Sequence, residues 1–166
     1  ISTAQILTEP YRKNTAACIA YIAYKLKALD PSASMIAAPA DHLVMDGEAF
    51  ESVIDQAFTF VEERKALVTI GIKPNHPNTG YGYIQFDPEA KLGEVYDVKT
   101  FTEKPNLDMA QTFLASGDFL WNAGIFIWTI DSILEAFEKH VPEINELFHN
   151  ERTAFNTSAE AEAVER

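Results

Sequence analysis

Apolar and polar positions along the chain follow two alternating periods. From Asp46 to Arg64, the residues Phe50, Val53, Ile54, Ala57, Phe58 and Val61 share one face at helical spacing. Glu48, Glu51, Asp55 and Glu62 occupy the opposite face, so the pattern predicts an amphipathic helix. Upstream, short apolar strands are predicted at Gln5 to Thr8 and Met35 to Ala38. Between them lies a helix from about Thr15 to Leu29, N-capped by Asn14 or Thr15 and stopped by Asp30-Pro31. A strand at Leu67 to Ile72 completes an alternation that predicts right-handed βαβ units on a mostly parallel sheet.

After Ile72 the character changes. Lys73 to Gly80 is a turn-rich loop leading into a strand at Tyr81 to Phe86, a turn at Asp87 to Gly93 and a second strand at Glu94 to Thr102, read as an antiparallel pair. Asn106 caps a short helix that ends near Ser116-Gly117. An apolar β run follows from Phe119 to Trp128, then a helix with Ile130, Ile133, Leu134 and Phe137 on one face, then another opened by Pro142. Residues 1–150 read as one domain. From Glu151 to Arg166 the polar, Ala/Glu-rich tail is weakly patterned and reads as a fraying or incomplete element.

Charge and composition narrow the chemistry. The 166 residues are 47% hydrophobic and carry 13 Lys plus Arg against 25 Asp plus Glu, a formal net charge of -12. That balance argues against nucleic-acid backbones and anionic membrane surfaces, so phosphate chemistry here must rest on local groups and metal. The single cysteine, Cys18, reads as a small buried hydrophobe and fits a cytoplasmic protein. The longest apolar stretch, Ala16 to Tyr24, falls short of the ~20 residues of a membrane span. The histidines show no paired metal-ligand spacing, Met35, Met45 and Met109 read as core, and Walker, G-x-S-x-G and G-x-G-x-x-G signatures are absent.

Several polar clusters fall where an α/β sheet places ligands, at strand ends and helix N-termini. Glu9-Pro10-Tyr11-Arg12-Lys13-Asn14-Thr15 precedes a helix whose first N–H groups favour an anion or polar ring, although a capping loop explains it as readily. Asp41, in Ala38-Pro39-Ala40-Asp41-His42, could hold Mg²⁺ against phosphates or simply cap a turn. In Thr79-Gly80-Tyr81-Gly82-Tyr83 the glycines permit close backbone approach by a ligand, or a bulge. Phe101-Thr102-Glu103-Lys104-Pro105 places an acid beside a base at a strand end: within a strand the two side chains would point to opposite faces, but Pro105 ends the strand and lets both project from its tip, and a common surface Glu-Lys pair explains them as readily. Within Leu120-Trp121-Asn122-Ala123-Gly124, Asn122 must satisfy local backbone or face a ligand, for which a hydroxyl-rich sugar is a natural partner.

Together and in order, EPYRKNTAACIA, APADHLV, NTGYGYIQF, FTEKP and FLWNAGIFIW resemble the sugar-nucleotide pyrophosphorylases, and within them the mannose-1-phosphate guanylyltransferases. The resemblance implies a Rossmann-like, three-layer nucleotidyltransferase fold with a mixed, mostly parallel sheet. It implies transfer from GTP to mannose-1-phosphate, with Asp41 as a Mg²⁺ ligand and Glu9, Pro10, Asn14 and Thr15 against the nucleoside. Gly82 would admit the sugar, Glu103 and Asn122 would hold its hydroxyls, and Lys104 would neutralise its phosphate. Against the family pattern, Lys13 stands for Arg and Ala17 for Pro, and the N-terminal strand, the glycine-rich triphosphate loop and a second metal-binding Asp are not found in this sequence. The chain is therefore expected to be the central part of a catalytic domain, and a homo-oligomer is compatible with it. The alternatives are another base and sugar, such as glucose with UTP, dTTP or ATP, or a non-catalytic sugar-nucleotide-binding subunit.

Overall fold

The computed structural model describes residues 5–9, 11 and 13–165. Its elements run α1 (Asn14–Leu29), β1 (Ser34–Ala37), α2 (Gly47–Glu63), β2 (Val68–Ile72), β3 (Tyr83–Leu92), β4 (Val95–Thr102), α3 (Leu107–Ser116), β5 (Phe119–Thr129), α4 (Ile130–His140), α5 (Pro142–Asn150) and α6 (Glu160–Val164). The strands form one sheet in the order β1-β5-β3-β4, with β2 also paired to β5.

The α/β architecture agrees with the sequence reading, but the sense of the sheet does not. β2 with β5, β3 with β4 and β3 with β5 all pair antiparallel. The β3–β4 connection is a tight turn at Gly93, whose φ of +63° suits glycine, and so short a link can only join antiparallel strands. β3 also continues through the segment expected to be a turn, reaching Leu92 opposite Val95. Asp87 is fixed there by Lys99, 3.3 Å away, and Lys91 lies over the Tyr96 ring across the hairpin. Gln5 to Thr8, expected as a strand, is not one: Gln5 lies in a 3-10 turn and residues 6–8 adopt no regular structure.

Helix boundaries follow local chemistry. Asp46 caps α2 through Ala49 N–H, Asn106 caps α3 through Met109 N–H, and Gly117 ends α3 at a φ of +80°. α2 buries Ile54, Ala57 and Val61, as its periodicity requires, while its acidic face is exposed.

The chain splits into two compact units. The first comprises residues 1–35, 65–67 and 128–166, and the second residues 36–64 and 68–127. In the first, α1 packs on α4 and α5, and the rings of Tyr21, Tyr24, Phe148 and Phe155 form an aromatic core. The tail is tied into this unit. Phe155 is 3% exposed, Lys25 forms a 2.5 Å ion pair with Glu160, Tyr21 hydrogen-bonds the same carboxylate, and the Asn156 side chain donates to the Lys25 carbonyl. The second unit is built on Tyr83, Ala110, Phe119 and Trp121, with Phe113 stacked 4.0 Å from Phe119.

Three residues expected inside lie outside: Cys18, Met45 and Met109 are all exposed. The Cys18 thiol is pushed above its ordinary value, by desolvation first and the Glu9 charge second, so it is not an activated nucleophile. Among the described residues, no helix is long and apolar enough to cross a membrane.

Candidate active site

The expected site residues divide between the two units. Asp41, Gly82, Glu103, Lys104 and Asn122 belong to the second, and Glu9, Asn14 and Thr15 to the first; Pro10 lies outside the described residues.

In the second unit three of these residues meet. A Cβ on Gly82 would lie 2.8 Å from Glu103 Oε2, 3.5 Å from Asn122 Cβ and 3.8 Å from Asn122 Nδ2. The backbone is pinned at the same point, since Asn122 N–H donates to the Gly82 carbonyl at 2.8 Å. Glycine here leaves open a space flanked by a carboxylate and an amide, and any side chain would occupy it. The preceding loop is braced internally. Gly80 N–H donates to Asn78 Oδ1 at 2.7 Å, Asn78 N–H donates to the Tyr83 hydroxyl at 3.0 Å, and the His76 and Tyr81 rings stand edge-on to Trp121.

Glu103 and Lys104 follow the last residue of β4. Beyond the strand end they pair, Lys104 Nζ lying 3.5 Å from Glu103 Oε1. The cause is local backbone: Lys104 adopts a φ of +42°, which breaks the alternation that would send neighbouring side chains to opposite faces. A non-glycine residue held in this region costs on the order of 1 kcal/mol or more, and such conformations concentrate at functional sites. Pro105 behind it is buried while both charged side chains stay exposed, so the cation is available to an incoming anion.

Asn122 owes its direction to a bulge in β5. Thr69 pairs with Phe126 and Gly71 with Asn122, so two steps along β2 span four along β5. Gly124, at a φ of +70°, makes the bend, and its N–H donates to Asn122 Oδ1 at 2.9 Å. A Cβ there would lie 3.4 Å from Pro39. The loop carrying Asp41 therefore runs beside the bulge that carries Asn122. Asp41 follows β1 in a turn, with its carboxylate exposed, and His42 is likewise exposed.

No group of three or more His, Cys, Asp or Glu side chains among the described residues forms a metal cage. A lone exposed carboxylate suits an ion such as Mg²⁺, which takes one or two carboxylates and completes its shell with substrate phosphates and water.

In the first unit, Asn14 opens α1 rather than capping it. Lys13 occupies the cap position and makes no side-chain cap bond, and Asn14 itself has a φ of +67°. Glu9, Asn14 and Thr15 are all exposed.

Two surface concavities contain none of these residues. One lies between the acidic face of α2 and the β3–β4 turn, the other among α1, α4 and α5. Thr69 carries no signal in the sequence, because one threonine in a strand says nothing without the register that brings it to Asn122.

The pattern of the family described as nucleotidyl transferase matches residues 2–163. Mannose-1-phosphate guanylyltransferase of Escherichia coli (strain K12) is 40% identical over 148 residues, covering 86% of this chain and 30% of that protein. The chain spans about 30% of the length of the curated relatives it matches. A crystal structure described as mannose-1-phosphate geranyltransferase from Thermus thermophilus superposes with a TM-score of 0.83 at 28% identity, covering 96% of this chain and 45% of that one. A second, described as mannose-6-phosphate isomerase from Helicobacter pylori, has a TM-score of 0.74 at 36% identity, covering 88% of this chain and 53% of that one.

Proposed function

Because this chain belongs to the nucleotidyl transferase family, we propose that it carries the sugar-phosphate and nucleoside contacts of a mannose-1-phosphate guanylyltransferase. The reaction is attack by a phosphate oxygen of mannose-1-phosphate on the α-phosphorus of GTP. A P–O bond forms to give GDP-mannose, the α–β phosphoanhydride breaks, and pyrophosphate leaves with the electron pair. The nucleophile is already an anion, so no Ser/His pair is needed to activate it. The protein's task is to position two anions and to neutralise charge.

The observation that carries this reading is the convergence of Gly82, Glu103 and Asn122, with the Lys104 ammonium 3.5 Å from the Glu103 carboxylate. A carboxylate accepts hydrogen bonds and an amide nitrogen donates them, so this pair suits sugar hydroxyls. Lys104 supplies the positive charge that a sugar phosphate requires. Glu9, Pro10, Asn14 and Thr15 are assigned to the nucleoside, a reading supported by the exposure of Glu9, Asn14 and Thr15 and by the lack of a cap bond from the Lys13 side chain at the start of α1.

Asp41 would hold a divalent cation, Mg²⁺ in this reading, which supplies charge neutralisation at the phosphates when bound. One cysteine and phosphorylated substrates fit a cytosolic setting. The reverse reaction provides a direct test: the natural protein containing this chain is expected to convert GDP-mannose and pyrophosphate to GTP and mannose-1-phosphate. Conversion of UDP-glucose or ADP-glucose in its place would reassign base and sugar.

A further inference from the structure

We propose that Thr69 is a positioning residue that fixes which way the Asn122 amide faces, and thereby makes the site demand an intact sugar hydroxyl. The inference rests on the sugar-phosphate reading above and adds to it a residue with no direct ligand contact.

The geometry begins with the β5 bulge opposite Thr69 and Gly71. Gly124 N–H meets the Asn122 side chain at 2.9 Å. An N–H can only donate, so the atom it meets is Oδ1 and the other amide atom is Nδ2. Thr69 Oγ1 lies 3.3 Å from the same Oδ1 and 3.1 Å from the Ile125 carbonyl, so its single proton is shared between side chain and bulge backbone. With Oδ1 held from both sides, Nδ2 is left beside Gly82, where it donates to no described residue.

Without the hydroxyl, one N–H holds a torsion whose intrinsic preference is broad and two-fold. With it, Nδ2 presents donors on one flank of Gly82, and the Glu103 carboxylate presents only acceptors on the other. A hydroxyl satisfies both, accepting from Nδ2 through its oxygen and donating its proton to Glu103. An analogue lacking that hydroxyl leaves both partners unpaired and is rejected far more strongly than size alone would achieve.

The test compares Thr69→Val, which keeps shape and removes the hydroxyl, with Thr69→Ser, which keeps the hydroxyl, in the natural protein containing this chain. Thr69→Val is expected to raise KM for mannose-1-phosphate about tenfold, the scale of one hydrogen bond, with KM for GTP changed less than about twofold. Thr69→Ser restores the wild-type value. Equal changes in both KM values, no change, or failure of serine to rescue would overturn the proposal. Should the wild type transfer no nucleotide to any sugar phosphate, the functional reading fails separately. The positioning claim is then read from the nuclear Overhauser contact between the Asn122 side-chain NH₂ and Gly82 Hα in ¹⁵N-asparagine-labelled protein. Its presence in wild type and Thr69→Ser and its loss in Thr69→Val support the proposal, and its persistence in Thr69→Val overturns it.

Discussion

Replacing Gly82 with alanine separates the site from the fold. The new methyl would lie 2.8 Å from Glu103 Oε2 and 3.5 Å from Asn122 Cβ, so a carboxylate at the end of an exposed, flexible side chain must give way. Gly82 has no positive φ, and alanine fits its backbone. Its lower unfolded-state entropy contributes about 0.4–1 kcal/mol of stability, which offsets the cost of turning Glu103 aside. The ligand side loses more, because a hydrogen bond to a charged group contributes about 1.5–3 kcal/mol, and displacing it raises KM for mannose-1-phosphate roughly ten- to a hundredfold. Gly71 provides the contrast. A Cβ there would lie 2.5 Å from Leu120 Cδ1 and 2.9 Å from Leu120 Cβ, and Cβ cannot move without the β5 backbone. Gly71→Ala should cost about 1–3 kcal/mol of overpacking, a fall in Tm of roughly 2–10 °C. Thermal unfolding followed by circular dichroism, alongside initial rates, reads both variants. If Gly82→Ala unfolds as early as Gly71→Ala, or leaves KM for the sugar phosphate unchanged, the open-space reading of Gly82 is refuted.

Lys104→Met should lower kcat/KM for transfer by about 10²- to 10³-fold, the scale for one preorganised charge-stabilising group. Its Tm should hold within about 1 °C, because the side chain is exposed. Asp41→Asn should abolish the Mg²⁺-dependent rate with a similarly unchanged Tm, and adding EDTA to wild type should reproduce that loss until Mg²⁺ is restored. Burial alone would raise Glu160, but hydrogen bonds from Lys25, Tyr21 and Asn156 N–H, with the Lys25 charge, outweigh it and hold the carboxyl below its ordinary value. A carboxyl depressed on folding stabilises above its unfolded value near pH 4.3 and loses that stabilisation as pH falls through the folded value. Glu160→Gln should therefore cost about 2 kcal/mol at pH 7 and flatten the decline of Tm with pH below about pH 4.5.

Most elements were legible because local rules and burial agree in them. The α2 face and the caps at Asn106 and Gly117 are written in spacing and residue type, and Pro142 opens α5 as read. The sense of the sheet was not legible, because a short apolar run such as Leu67 to Ile72 does not signal which strand it pairs with or in which direction. Asp87 to Leu92 carries turn residues, yet cross-strand partners at Lys99 and Tyr96 hold it in β3, and only Gly93 turns as expected. The tail shows little periodicity because its anchors, Phe155 and Glu160, are single side chains that find distant partners on α1.

The candidate site is written in the sequence as residue types and not as geometry. Gly82, Glu103 and Asn122 sit in separate segments, and only the fold brings them together. The backbone turn beneath the Glu103–Lys104 pair is not written in the sequence, because nothing there signals a φ of +42° at a lysine. Thr69 could not be singled out, since its importance depends on a bulge in another strand.

The central claim is tested most directly by measuring pyrophosphate release with Mg²⁺ across a grid of nucleoside triphosphates and sugar-1-phosphates, using the natural protein that contains this chain. Release with GTP and mannose-1-phosphate well above every other pair is the predicted result. Release with a different pair as the best substrates, or none with any pair, would contradict it.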